Sequence, residues 1–248
     1  MVIAALLLWT ALATDDLASR LEAGDGAFGA IDYPAAIDCY RAALSQRPDD
    51  PEILWRLARA YVCKGEVLEG AQRTADCRQA EMYARKCVGL DSLKAEGHCW
   101  LAASLAYIAL DAGRREQVRL AHELLQEADR AIALNPSEDA AYSIKGSFYR
   151  ALGNVGWLQR QLAAVFIGRI PRGGFEEAEA ALKKAINLAP TVMRHQYELG
   201  VLYLDMDRKA EAREVLLRAA TLPVRVAIDR PRLEKIKELL SDLQEDKP

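Results

Sequence analysis

The sequence predicts an all-α solenoid built from antiparallel helix pairs. Apolar residues make up 51% of the 248, dominated by Ala and Leu, while aromatic residues reach only 7%. No segment alternates β-branched with polar residues as a half-buried strand does. A closing pattern, seen as "AALSQRP", "KCVGLDS", "RAIALNP", "KAINLAP" and "RAATLPV", recurs five times. Such self-similarity is the mark of a repeat architecture, and the chain is long enough to bury a sizeable core.

The first residues, "MVIAALLLWTALATDD", hold an apolar run from Val2 to Ala13. That run is shorter than the ~20 residues a membrane-crossing helix needs. Ala11-Leu12-Ala13 has the small-x-small form of a cleavage site, although no basic residue precedes Arg20. Residues 1–13 are therefore expected to be a signal peptide or short anchor. An exported protein, periplasmic or secreted, or a membrane-anchored one follows from that expectation, with a cytoplasmic protein as the alternative.

The first clear pair is "DYPAAIDCYRAALSQRPDDPEILWRLARAYVCKGE". Ala36, Tyr40, Ala43 and Pro48, then Leu54, Leu57, Ala58 and Tyr61, alternate small and large residues at helical spacing. Small residues allow two helix backbones to approach, and large ones fill the space between them; this is the alternation of a tetratricopeptide repeat. Leu101 and Ala102, then Tyr142, Gly146 and Tyr149, then Leu199, Gly200 and Tyr203 repeat it. In the first unit Gly24 takes the small position.

The closing small positions Ala43, Cys87, Ala131, Ala185 and Ala219 are spaced by 44, 44, 54 and 34 residues. A plain repeat of this type is about 34 residues long. Ten extra residues are assigned to Glu69–Gln79 and to Asp111–Leu120, each lengthening both arms of its hairpin. Twenty more make an insert at 153–174, "GNVGWLQRQLAAVFIGRIPRGG". There a helix from about Trp157 to Ile167, buried on the solenoid, is expected before a Gly/Pro turn. After Pro223, "RPRLEKIKELLSDLQ" carries Leu233, Ile236, Leu240 and Leu243 on one stripe and reads as a capping helix. The prediction is a tetratricopeptide-repeat domain over 14–222, of about five helix pairs with an inserted helix in the fourth. A capping helix and tail fill 223–248.

With 33 basic and 36 acidic residues, the net charge of −3 gives no general attraction to nucleic acid, and none is expected as a partner. Cys39, Cys63, Cys77, Cys87 and Cys99 show no metal-binding spacing, and His98, His122 and His195 fall on three different helices. No phosphate-cradling loop or nucleophile motif is present. Neither metal, cofactor nor catalytic residue is expected, and the protein is read as non-enzymatic. Cys63 with Cys77, and Cys87 with Cys99, flank hairpin bends and could form disulfides; the other reading is small buried side chains in Ala-type positions.

"PEILWRLARAYVCKGE", the stretch from "ADRAIALNP" through the insert to "KAINLAP", and "YELGVLYLDMDRKAEAREVLLRAA" together resemble the regulator of microtubule dynamics family. In the insert the resemblance rests on Trp157, Arg160, Ala163, Ala164, Phe166, Gly168 and Pro171. It implies a repeat scaffold for binding proteins, whose eukaryotic members associate with microtubules or with membrane contact sites.

The leading functional expectation is a scaffold whose concave groove grips a protein or peptide segment. Its candidate contacts are Trp55, Arg56, Arg59, His98, Ser143, Lys145, Arg194 and Gln196, with Arg56, Arg59 and Lys145 available for a partner's carboxylates. The alternative is lipid or membrane-surface binding through an apolar cavity or the insert. There Trp157, Leu158, Leu162, Val165 and Phe166 form one side and Arg160, Arg169 and Arg172 supply charge. A microtubule-associated regulator is the third reading, for a cytosolic eukaryotic protein.

Overall fold

The computed structural model describes residues 17–156, 159 and 168–245, and among these it is entirely helical and loop. Outside the insert, eleven helices follow one another among the described residues: α1 over 17–29, α2 Tyr33–Gln46, α3 Pro51–Gly65, α4 Gly70–Leu90, α5 Ala95–Asp111 and α6 Arg114–Leu134. After them come α7 Asp139–Gly153, α8 Phe175–Leu188, α9 Met193–Asp205, α10 Lys209–Ala220 and α11 Asp229–Glu245. They form five antiparallel pairs, α1/α2 to α9/α10, with α11 stacked on the last.

Local chemistry sets the boundaries. Asp50 accepts the Glu52 amide at 2.9 Å and is followed by Pro51 at the first helical position; Asp32 does the same for Ala35 at 3.1 Å. At the start of α8 the Gly174 amide donates to Glu177 Oε2 at 2.8 Å, and Glu176 and Glu177 lie where the helix dipole favours negative charge.

Within each pair the small-against-large alternation is realised in space. A Cβ placed on Gly24 would stand 2.5 Å from the Tyr40 ring, one on Gly146 2.5 Å from Leu182, and one on Gly200 2.6 Å from Leu216. Ala43, Cys87, Ala131, Ala185 and Ala219 are all fully buried. Gly24 to Tyr40 and Gly200 to Leu216 are 16 residues apart and Gly146 to Leu182 is 36, so the fourth pair closes on the same geometry after 20 additional residues.

The added residues elsewhere fall unequally on the arms. The second helices α4 and α6 each have 21 residues against 14 in α2 and α8, while the first helices run from 13 to 17. The expected even lengthening of both arms is corrected accordingly: the outer arm takes most of it. Arg73 fastens the start of α4 to Asp111 at the end of α5 at 2.8 Å.

All five cysteines are free thiols, and four are buried. The reading of Cys63–Cys77 and Cys87–Cys99 as disulfides gives way to the reading of small buried side chains. Cys77 Sγ is 3.2 Å from where a Gly65 Cβ would be, and Cys87 Sγ 2.8 Å from that of Gly97, so each sulfur fills a helix crossing. Burial pushes the thiols of Cys77 and Cys87 up to about 12, and those of Cys63 and Cys99 up as well.

Most of the expected insert helix, including Trp157, Leu158, Arg160, Leu162, Val165 and Phe166, lies outside the described residues. The turn after it is seen: Pro171 is buried, Gly173 adopts φ +126° against the Tyr149 ring, and Phe175 packs on Gly153. Arg169 and Arg172 are exposed, and the Arg169 carbonyl meets His122 Nε2 at 2.8 Å, tying the exit of the insert to α6.

Candidate concave channel

The first helices of the pairs, α3, α5, α7 and α9, pack successively on one another, while α4, α6 and α8 pack on their own partner and on the next first helix. The first helices therefore make an inner wall and the second helices an outer layer. The wall curves tightly enough for Arg194 on α9 to donate to the Tyr107 hydroxyl on α5 at 3.2 Å, past the intervening α7.

A polar network lines this wall. At its N-terminal end Tyr40 donates to Asp25 at 2.6 Å, and Arg56 and Arg59 each reach the same carboxylate at 3.3 Å. The Arg59 guanidinium lies 3.9 Å from the Phe28 ring centre and that of Arg56 4.5 Å from Trp55. Glu52 accepts from Trp55 Nε1 and Arg56, both at 2.9 Å, and from Lys94. Burial would raise the Glu52 carboxyl, but these donors outweigh it and hold it down at about 2.

Midway, Tyr107 donates to Glu66 at 2.6 Å, and Arg194 completes the cluster 3.7 Å from Glu66. Towards the C-terminal end Arg150 pairs with Asp205 at 3.0 Å and approaches Glu198 at 3.5 Å. Each arginine of the wall thus has a carboxylate of the same chain, and the wall carries no surplus charge to offer.

Several polar atoms of the first helices are enclosed within the fold. Among the described residues seven buried side-chain atoms have no hydrogen-bond partner: Arg59 Nε, Ser143 Oγ, Ser147 Oγ, Arg150 Nε, Arg194 Nε, His195 Nδ1 and Glu198 Oε2. All seven belong to the first helices α3, α7 and α9, and none to a second helix.

The structure divides the candidates named from the sequence. Trp55, Arg56 and Arg59 form one cluster, and Ser143 and Arg194 lie further along the wall. His98, Lys145 and Gln196 lie at seams between helices instead. His98 is held between Glu127 at 2.5 Å and the Ser92 carbonyl at 3.1 Å, Lys145 pairs with Asp129 on α6, and Gln196 is buried. The expectation that Arg56, Arg59 and Lys145 await a partner's carboxylates is corrected, since Asp25, Glu52 and Asp129 already engage them. Tyr107, Ser147, Arg150, Glu198 and Glu66 were missed. Ser147 and Arg150 follow Ser143 at four and seven residues on one helix face, a spacing that could have revealed them. Among the described residues no group of three His, Cys, Asp or Glu side chains is placed to hold a metal ion.

The family model of the regulator of microtubule dynamics proteins 1-3 matches residues 22–244. The chain belongs to this family. Regulator of microtubule dynamics protein 2 of Homo sapiens is 24% identical over 201 residues, covering 79% of this chain and 48% of the human protein. Regulator of microtubule dynamics protein 1 of Caenorhabditis elegans is also 24% identical over 201 residues, covering 79% of this chain and 89% of the worm protein. The chain spans about half the length of its human relative. A solved structure, a thermophilic tetratricopeptide-repeat protein of Thermus thermophilus, superposes with a TM-score of 0.67 at 22% identity, covering 92% of this chain and 98% of that one. The fold is that of tetratricopeptide repeats.

Membership of the regulator of microtubule dynamics family corrects the expectation of an exported protein. An exported protein, periplasmic or secreted, does not fit relatives named for regulating microtubules, which are assemblies of the cell interior. Among the described residues no helix is long and apolar enough to cross a membrane. The N-terminal signal was ambiguous physically: an apolar run ending in Ala-Leu-Ala suits the start of an Ala- and Leu-rich helix as well as a cleavage site. Residues 1–13 themselves lie outside the described residues.

Proposed function

We propose that this regulator of microtubule dynamics chain is a non-enzymatic scaffold. A segment of a partner protein binds in the channel lined by its first helices. The observation that carries the reading is the inner wall of successive first helices, curved tightly enough for α9 to reach α5, in the fold of tetratricopeptide repeats. Solenoids of stacked helix pairs present such a concave wall to an extended or helical segment of a partner. Because the arginines are internally neutralised, recognition rests on hydrogen bonding and shape more than on charge. The relatives' names point to the microtubule lattice or a protein bound to it as the partner.

Cutting back the part-exposed N-terminal end of the wall tests this. Trp55 and Arg56 are adjacent on α3 and half-buried, and replacing both by Ala removes that surface while leaving the outer layer untouched. With microtubules assembled from purified tubulin, co-sedimentation of the wild-type chain and its loss in Trp55→Ala/Arg56→Ala, with helical content unchanged, is the expected result. Equal sedimentation by both proteins would remove the channel as the binding surface.

A further inference from the structure

The N-terminal end of the channel is reached by the chain's own C-terminal connector. Between α10 and α11, Asp229 Oδ2 accepts the main-chain N–H of Arg225 at 3.0 Å and of Val226 at 3.2 Å, and Asp229 Oδ1 holds Arg232 at 2.6 Å. The Asp229 and Arg232 side chains are only 4% and 6% exposed. These bonds fold the connector into a loop whose Ala227 N–H donates to the Tyr33 hydroxyl at 2.9 Å. Tyr33 begins α2 and Ala227 comes after the fifth pair, so one hydrogen bond joins the first repeat to the element beyond the last.

The loop comes within electrostatic range of the inner wall. Cys63 on α3 is buried, and its thiol senses Glu66, Arg194 and Asp229 together; Tyr33 senses Cys63, Glu66 and Asp229. The connector meets the first repeat at the Tyr33 hydroxyl. Its hold there is slight compared with that of α11. Pro223, Val224 and Arg225 are exposed and Val226 to Ile228 half-buried, whereas Ile236 and Leu240 of α11 are buried against Met193, Leu216 and Ala219. An element fixed at its base and held at its tip by one hydrogen bond opens with less loss than the solenoid does.

We propose that residues 223–229 are a latch on the channel. Closed, the loop bonds to Tyr33 and covers Cys63; open, it leaves Tyr33 while α11 stays docked and the solenoid stays folded, which clears the N-terminal end of the channel for a partner segment. The use of the opening rests on the channel being the binding surface, but the opening itself does not depend on a partner.

Thiol modification of the full chain reads the latch directly. Cys63 reports on the loop, and the buried Cys77, Cys87 and Cys99 report on the rest of the solenoid. Tyr33→Phe removes the acceptor of the Ala227 N–H and keeps the ring. With N-ethylmaleimide under native conditions and site-resolved mass spectrometry, Tyr33→Phe is expected to raise the Cys63 rate about tenfold while the other three buried thiols keep the wild-type rate. Asp229→Asn, which loosens the loop from within, should give the same selective rise. If Cys63 in both variants keeps the wild-type rate, or rises only in step with Cys77, Cys87 and Cys99, the connector is part of the solenoid's own folding unit and the latch is refuted. Neither result alters the tubulin sedimentation test, so the two proposals fail separately.

Discussion

Glu52 shows how a residue on the inner wall comes to be spoken for. Its carboxylate gathers Trp55 and Arg56 from its own helix and Lys94 from the start of α5, so three donors converge on one acid. Its pKa is depressed from the ordinary 4.5 to about 2, and the stability it contributes is present above pH 4.5 and lost as pH falls through about 2. Half of the side chain is exposed, so screening keeps the contribution below about 1 kcal/mol. Glu52→Gln should therefore lower the urea midpoint slightly at pH 6, and the difference from wild type should shrink between pH 4.5 and 2; a difference independent of pH would show that packing, not charge, is involved. The sequence placed Trp55, Arg56 and Arg59 on the right face because helical spacing is local. It could not show that Asp25, some thirty residues earlier, neutralises both arginines, since that contact exists only once α1 lies beside α3. His98 was misplaced for the same reason: its two partners come from the turn before it and from α6.

At the scale of the helix pair, the decisive contact is a glycine against a leucine. Gly146 admits Leu182 to a distance at which a Cβ would meet its side chain at 2.5 Å, with the Ala178 carbonyl at 3.4 Å behind. Gly146→Val should destabilise the chain by about 1–3 kcal/mol through overpacking. The companion change Leu182→Ala opens a cavity in the parent protein, at about 2–5 kcal/mol. In the valine background it should cost measurably less, because it relieves the clash, and thermal unfolding of the four proteins measures the coupling. Additive effects would mean that the valine is accommodated elsewhere. These pairs were legible from the sequence because small and large residues recur in register, and the 20-residue excess of the fourth pair was legible from spacing alone. How the ten-residue additions divide between arms was not. Polar, helix-permissive residues such as those of "QRTADCRQ" and "RREQVRL" extend either arm equally well until packing against α5 and α7 decides.

At the scale of the molecule the apolar core of the described residues is divided into three clusters. The largest runs from Leu17 to Ile144 and contains the first three pairs. A second joins Ala178 and Leu182 to Leu199, Leu202, Tyr203, Ala212 and Val215. The third seats Ile236 and Leu240 of α11 on Met193, Leu216 and Ala219. A solenoid is stabilised by contacts between neighbours, so each end depends on whatever covers it. A chain ending at Leu222 would expose Met193 and Leu216, which are now 1% and 0% accessible, and would also lose the loop that bonds to Tyr33. Hydrogen exchange on that truncated chain should show α9 and α10 deprotected first, then α8. The segment from α3 to α6 should keep its protection, because its own cluster is untouched, apart from a local increase around Tyr33 and Cys63 where the loop has gone. Such a gradient is what separate neighbour-by-neighbour units predict. Uniform loss of protection along the chain would instead mean that the Ala227–Tyr33 bond, joining the last element to the first repeat, makes the curved array fold and unfold as one body.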